Sequence, residues 1–174
     1  MKKIIGFFLL ILLTGCANNM KPTDFKDQKP RLIIENYLAG NVKAWGVLQN
    51  RSGKVTRQFK ADLNGNWDGS KLILDEVFDW NDGERQTRQW IIKKIDDHNY
   101  EGTASDVVGT AKGYSYGPAF KFEYVLLVPI KGKNIKITFD DWIFMQDDKI
   151  AINRATMKKF GLKVAELTVV FEKK

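Results

Sequence analysis

The 174-residue chain has one cysteine, Cys16, and one histidine, His98. Without a second thiol no intrachain disulfide can form, and a domain of this size needs none. Ser-His-Asp and Cys-His catalysis are nearly excluded, because His98 falls in an Asp96-Asp97-His98-Asn99 turn and Cys16 has another use. Zinc lacks its usual nitrogen and sulfur ligands, so no metal and no cofactor is expected. Runs of five or six like charges are also missing. The balance is mildly basic, 28 Lys+Arg against 21 Asp+Glu. No nucleic-acid partner is expected; weak attraction to anionic lipid head groups suits this charge better. No apolar stretch reaches the roughly 20 residues of a membrane-spanning helix.

What is present begins at the N-terminus. Lys2 and Lys3 precede an apolar run from Ile4 to Leu13, and Leu13-Thr14-Gly15-Cys16 follows. This is the layout of a secretory signal, and the cysteine after the small pair makes it a lipoprotein signal. The expectation is cleavage before Cys16 and acylation of its thiol, with two or three chains giving a stable anchor. Residues 1–15 are then the signal peptide, 16–30 the lipidated N-terminus and a polar tether, and 31–174 the folded domain. Ala17, rather than Asp, follows the cysteine, which in a Gram-negative cell directs the protein to the outer membrane, on the periplasmic side.

After a short helix within Arg31–Ala39, the chain becomes a series of alternating segments closed by turn signals. Asn66-Trp67-Asp68-Gly69, Asn81-Asp82-Gly83, Gly132-Lys133-Asn134 and Phe160-Gly161 are examples of the turns. About ten strands are predicted, over 42–50, 55–64, 71–80, 85–95, 99–104, 107–116, 119–129, 135–144, 149–158 and 162–172. Evenly spaced strands with tight connections make an antiparallel meander, and closure removes its edges. The predicted fold is all-β, an antiparallel up-and-down, lipocalin-like barrel with a short N-terminal helix; an open sheet or sandwich is the alternative. A membrane-spanning barrel is excluded because Lys60, Asp62, Lys121, Glu123 and Lys136 would face lipid.

Alternation also sorts the two faces. The apolar face collects Phe59, Leu63, Leu72, Leu74, Phe78, Trp90, Phe122, Phe139, Ile150 and Ile152, among others. In the same phase stand Arg57, Glu76, Arg88, Tyr124, Asp141 and Arg154. Trp90, Phe122 and Phe139 are candidates for an aromatic lining around them. Such a polar set is either a structural cluster of ion pairs or the site that meets a ligand's polar end. Three arginines against two carboxylates leave one positive charge unmatched, which favours an anionic head group. Glu76 with Asp141 is a remote candidate for acid–base catalysis, and an enzyme is not the favoured reading. Asp79, Asn81, Asp82 and Glu84 vaguely resemble a calcium loop, but a hairpin turn explains them better. Trp45 and Trp142 fall on the opposite phase, either exposed to membrane or a partner, or covering the barrel end under the N-terminal helix. Gly109, Ala111 and Gly113 leave room for a ligand or for close packing.

Several stretches carry a resemblance. They are Leu74-Asp75-Glu76-Val77-Phe78; Asp82-Gly83-Glu84 with Arg88 and Trp90; Asp106-Val107-Val108-Gly109-Thr110-Ala111; Asp140-Asp141-Trp142; and Asn153-Arg154 followed by Met157 to Gly161. With these the chain resembles the uncharacterised bacterial lipoproteins grouped as domain of unknown function 3833, over most of 35–172. Gly117-Pro118-Ala119 departs from the Gly-Asn-Ala expected there. The resemblance implies a Gram-negative envelope lipoprotein with a lipocalin-like barrel, and implies no activity and no catalytic residues. The expected function is binding of a lipid or other small amphiphile by a membrane-anchored barrel; a structural or assembly role through the outer surface is the alternative.

Overall fold

A computed structural model describes residues 20–174, and Cys16 with the rest of the signal segment lies outside them. A 3-10 turn (Pro22–Phe25) and a one-turn helix α1 (Ile34–Tyr37) precede ten strands. These are β1 (Gly40–Asn50), β2 (Val55–Trp67), β3 (Lys71–Trp80), β4 (Arg85–Lys94), β5 (Asn99–Thr103), β6 (Ala111–Tyr116), β7 (Ala119–Ile130), β8 (Lys133–Met145), β9 (Ile150–Lys159) and β10 (Leu162–Lys173). Each pairs antiparallel with its sequence neighbours, and β1 pairs with β10 from Val42↔Lys173 to Asn50↔Ala165, so the sheet is a closed barrel. Among the described residues 20–174 every strand has two partners and no sheet edge is left open.

Closure gives each strand one inward phase. On β3 that phase is Leu72, Leu74, Glu76, Phe78 and Trp80, and on β7 it is Phe120, Phe122, Tyr124 and Leu126. On β9 the order differs from the expectation. Ala151, Asn153 and Ala155 are buried, while Ile152 is 38 % exposed and Arg154 faces solvent. Large aromatics on the adjoining β8 and on β7 beyond it fill this part of the lumen, and β9 turns its small side chains inward. Ile152 instead pairs with Val170, which pairs with Trp45, as an apolar stripe on the outer wall. The sixth strand is also shorter than expected. Val107 makes only an isolated bridge to Leu126, and Gly109 adopts a positive φ of 74°, so residues 104–110 form a loop.

One end of the barrel is shut. Leu32, Ile34, Tyr37 and Leu38 of the α1 segment are buried against it. Gly65 permits the approach, since a Cβ there would lie 2.0 Å from the Leu38 carbonyl oxygen. Glu35 is the polar pin: it accepts a 2.8 Å hydrogen bond from the Tyr100 hydroxyl and pairs with Lys94 at 3.0 Å. The Ser115 hydroxyl donates to the Leu32 carbonyl at 2.7 Å. Lys173 Nζ donates to the carbonyls of Asn36, Tyr37 and Ala39 at 2.6, 3.0 and 2.8 Å. His98 is structural, stacked on Tyr116 at 4.2 Å with Nδ1 at 2.8 Å from the Ser115 carbonyl.

The stretch read as a free tether packs on the wall near this end. Phe25 contacts Trp142 and Phe144, with centroids at 6.0 and 5.5 Å, so Trp142 is covered while Trp45 is not. The room at Gly113 is taken by Phe120, whose ring would lie 2.8 Å from an added Cβ. Replacing Glu35 by Ala removes the acceptor of a buried phenol and a partner of Lys94. The expected loss is about 1–3 kcal/mol in urea unfolding, with Glu35→Gln recovering part of it through Tyr100.

Candidate functional site

The barrel encloses a lumen in two chambers. The inner, against α1, is about 120 Å³ and is walled by Leu63, Leu74, Trp90, Phe122 and Ile143. The outer, toward the opposite end, is about 260 Å³ and is walled by Trp80, Leu126, Val128, Phe139, Met157 and Leu167. Phe59, Phe78, Arg88, Tyr124 and Leu167 border both. Together the chambers reach the lower part of the roughly 300–1,000 Å³ typical of small-molecule sites. The wall is aromatic and continuous: Trp90 meets Phe122 at 5.1 Å and Tyr124 at 5.3 Å, and Tyr124 stacks on Phe139 at 5.0 Å.

A polar cluster sits where the chambers meet. Register brings it together: Glu76 on β3 stands opposite Arg88 on β4, and Phe122 on β7 opposite Asp141 on β8. Arg88 forms a two-point pair with Asp106, Nη2 at 2.7 Å and Nε at 3.1 Å from Oδ2, and lies 3.8 Å from Glu76. Tyr124 donates to Asp141 at 3.0 Å. Asn153 Nδ2 donates to the other Asp141 oxygen and to the Trp142 carbonyl, the latter at 3.0 Å. Asp106 comes from the 104–110 loop, which β7 holds through Val108 N to Val125 O and Leu127 N to Asp106 O, both 2.8 Å.

Burial decides the protonation of this group. It pushes the Glu76 carboxyl up to about 7, although Arg88 opposes it; Asp141 and Asp106 add to the rise. It pushes Asp141 up to about 6, against the hydrogen bonds from Asn153 and Tyr124. Burial, and then Asp141, drive the Tyr124 hydroxyl well above the usual phenol range. Burial works against the charge on Arg88 too, but Glu76 and Asp106 outweigh it and its pKa rises. Near neutral pH, Glu76 is therefore a carboxyl able to hold or release a proton, and so to donate or accept a hydrogen bond.

Glu76, Arg88, Tyr124 and Asp141 thus share the lumen with Trp90, Phe122 and Phe139. Arg57 lines the outer chamber but stands apart from this cluster, at the open end, stacked on Trp80 at 3.9 Å and tied to Asp82 at 2.7 Å and Glu84 at 2.8 Å. Those two acids of the calcium-like turn are its partners. Arg154 is outside, its side chain 65 % exposed and paired with Glu166 at 2.9 Å. Two lumen residues were missed, Asp106 and Asn153. Asn153 adjoins Arg154, so the correct β9 phase finds it; Asp106 precedes the Val107-Val108-Gly109 turn signal, which marks it as a loop residue. The mid-depth cluster has one guanidinium and three carboxyls, and Arg57 in the outer chamber is matched by Glu84. The lumen is acid-rich, and the expected surplus of positive charge is absent from it.

The fold has relatives among solved structures. A DUF3598 protein of unknown function from Nostoc punctiforme superposes with a TM-score of 0.62 at 14 % identity, over 84 % of this chain and 51 % of that one. This chain thus spans about half the length of the Nostoc protein. The S-type phycobiliprotein lyase of Guillardia theta superposes with a TM-score of 0.58 at 8 % identity, over 80 % of this chain and 90 % of the lyase. At such identities the likeness is one of fold, a lipocalin-like antiparallel barrel. No curated protein matches the chain. The family profile of the proteins of unknown function DUF3833 matches residues 10–173, and with the motif-bearing residues lining this lumen, the chain belongs to that family.

Proposed function

We propose that the barrel binds a single-chain amphiphile, with the apolar tail along the aromatic wall and the polar end at Glu76, Tyr124 and Asp141. The observation that carries this reading is the polar cluster at mid-depth in an otherwise apolar lumen. A side-chain-filled barrel has no use for two carboxyls whose burial raises their pKa values. The acid-rich lumen selects the head group. A neutral hydrogen-bonding group, a protonated acid or an amine is compatible with Glu76 and Asp141, and a permanent anion is not. The modest volume favours one acyl chain over two. An enzyme reading has less support, since the hydroxyl beside the carboxyls, Tyr124, is held as a neutral phenol by burial and by Asp141.

The barrel works at a membrane in this proposal. With Cys16 acylated, about five residues, or roughly 17 Å of extended chain, separate the lipid from the packed segment beginning near Lys21. An outer-membrane anchor on the periplasmic side follows from the signal and Ala17. Cys16→Ser is expected to abolish labelling by palmitate and to shift the protein from the membrane to the soluble fraction.

The chain from Met20 onward should copurify with an amphiphile detectable by native mass spectrometry and lipid extraction. Leu126→Trp fills the outer chamber; it should reduce retention of a fluorescent fatty amine or alcohol at least about tenfold, a change of about 1.4 kcal/mol. An empty wild-type barrel that takes up no such probe overturns the proposal.

The cluster also sets a pH dependence. A Glu76 carboxyl at about 7, against its ordinary 4.5, holds its proton more tightly folded than unfolded. The resulting stability is full below 4.5 and is lost as pH rises through about 7; Asp141 acts alike between 3.8 and about 6. Urea unfolding should therefore show stability falling across this window, by on the order of 3 kcal/mol from Glu76. Glu76→Gln should flatten the decline between about pH 5 and about pH 8.

A further inference from the structure

The two ends of the barrel differ in charge and in what their turns expose. At the shut end the turns carry Asp68, Asp96, Asp97, Asp147 and Asp148. At the open end three hairpins adjacent around the barrel, β1–β2, β9–β10 and β7–β8, present a different surface. Their tips, 50–55, 158–163 and 130–133, contain no carboxylate. Arg51, Lys54, Lys131, Lys133 and Lys159 make no ion pair among the described residues. Among these cations stand exposed apolar side chains: Phe160 at 93 %, Leu162 at 62 %, Ile130 at 46 % and Val55 at 43 %.

The backbone marks two of these tips further. Lys131 and Phe160 have positive φ, 48° and 51°, each followed by a positive-φ glycine, as a two-residue hairpin turn requires. Asn or Gly suits the first of those positions; a bulky aromatic there is strained. Phe160 gains no burial in return, and Lys159 Nζ lies 5.4 Å over its ring. The fold does not need this ring.

We propose that these three hairpin tips dock the open end on an anionic lipid bilayer, with Phe160 and Leu162 inserted between head groups and the flanking lysines at the phosphate level. The charge pattern commits the surface to this partner. Unpaired cations on these three tips attract anionic lipid and the apolar tips enter the interface; the carboxylates of the neighbouring β3–β4 hairpin, Asp82 and Glu84, are both held by Arg57. A head-to-tail contact with a second copy is the competing occupant of a basic end facing an acidic one. The docking requires no ligand in the lumen, but it would place the outer chamber's entrance at the membrane surface.

The test uses the chain from Met20 onward, which contains no cysteine. A single environment-sensitive dye is placed at Leu162→Cys, or at Ile95→Cys on the shut end. Vesicles of phosphatidylcholine with phosphatidylglycerol should bind the protein, with loss on raising salt, and phosphatidylcholine alone should not. The dye at 162 should shift to the blue and the dye at 95 should not. Phe160→Asn should weaken binding at least about tenfold while thermal stability is unchanged or higher. Lys131→Glu with Lys133→Glu should weaken it by at least about tenfold as well. Failure to bind anionic vesicles, equal shifts at 162 and 95, undiminished binding by both variants, or concentration-dependent self-association that the variants abolish in place of vesicle binding overturns the proposal. Amphiphile retention is read without vesicles, so the two proposals fail separately.

Discussion

The hydrogen bonds between β1 and β10 turn a sheet into a container. Once they form, every strand has an inner and an outer phase, and the alternation of each segment acquires a spatial meaning. Edges vanish, so the ladder's backbone groups need no further cover on either side. A closed ladder has two open ends, however, and the chain treats them differently. The α1 segment shuts one with Leu32, Ile34 and Leu38, held by Glu35 and Tyr100. The other keeps an entrance bordered by Arg57, Trp80 and the hairpin tips.

Within the container, the arrangement of charge carries the functional meaning. Arg88 is bound so firmly by Asp106 and Glu76 that it offers little to a ligand. The groups with spare hydrogen-bonding capacity are carboxyls with raised pKa values and a phenol. Asp106 adds a connection between depth and rim, because it belongs to a loop whose neighbour Val108 is exposed at the open end. A shift of that loop would change the partner of Arg88, the arginine of the mid-depth cluster.

The strands were readable because turn chemistry punctuated them: Asp-Gly and Phe-Gly turns lie where the hairpins are. Phase was less readable, since it was assigned from apolar bulk. On β9, Ile150 and Ile152 outweighed Ala151 and Ala155, although the lumen beside Asp141 has room only for small residues. That one misphased strand placed Arg154 inside, and with it an excess of positive charge that the structure does not have. Asp106 escaped because a loop has no phase, and only its fold around Leu126 and Val125 directs the carboxylate inward. Gly113 was ambiguous for a related reason. A vacancy in one strand is visible in the sequence, but its filling by Phe120 depends on a neighbour's register.

Lys173, one residue from the C-terminus, caps three carbonyls of the segment that seals the lumen. Its strand is also the final partner of β1. The first folded element and the last are thus fastened by the same residues, and no vectorial process can complete the seal from one terminus. Until β10 arrives, β1 is paired only with β2 and keeps one open edge. Ribosomal truncation or tail proteolysis would leave a leaking cup rather than a smaller barrel.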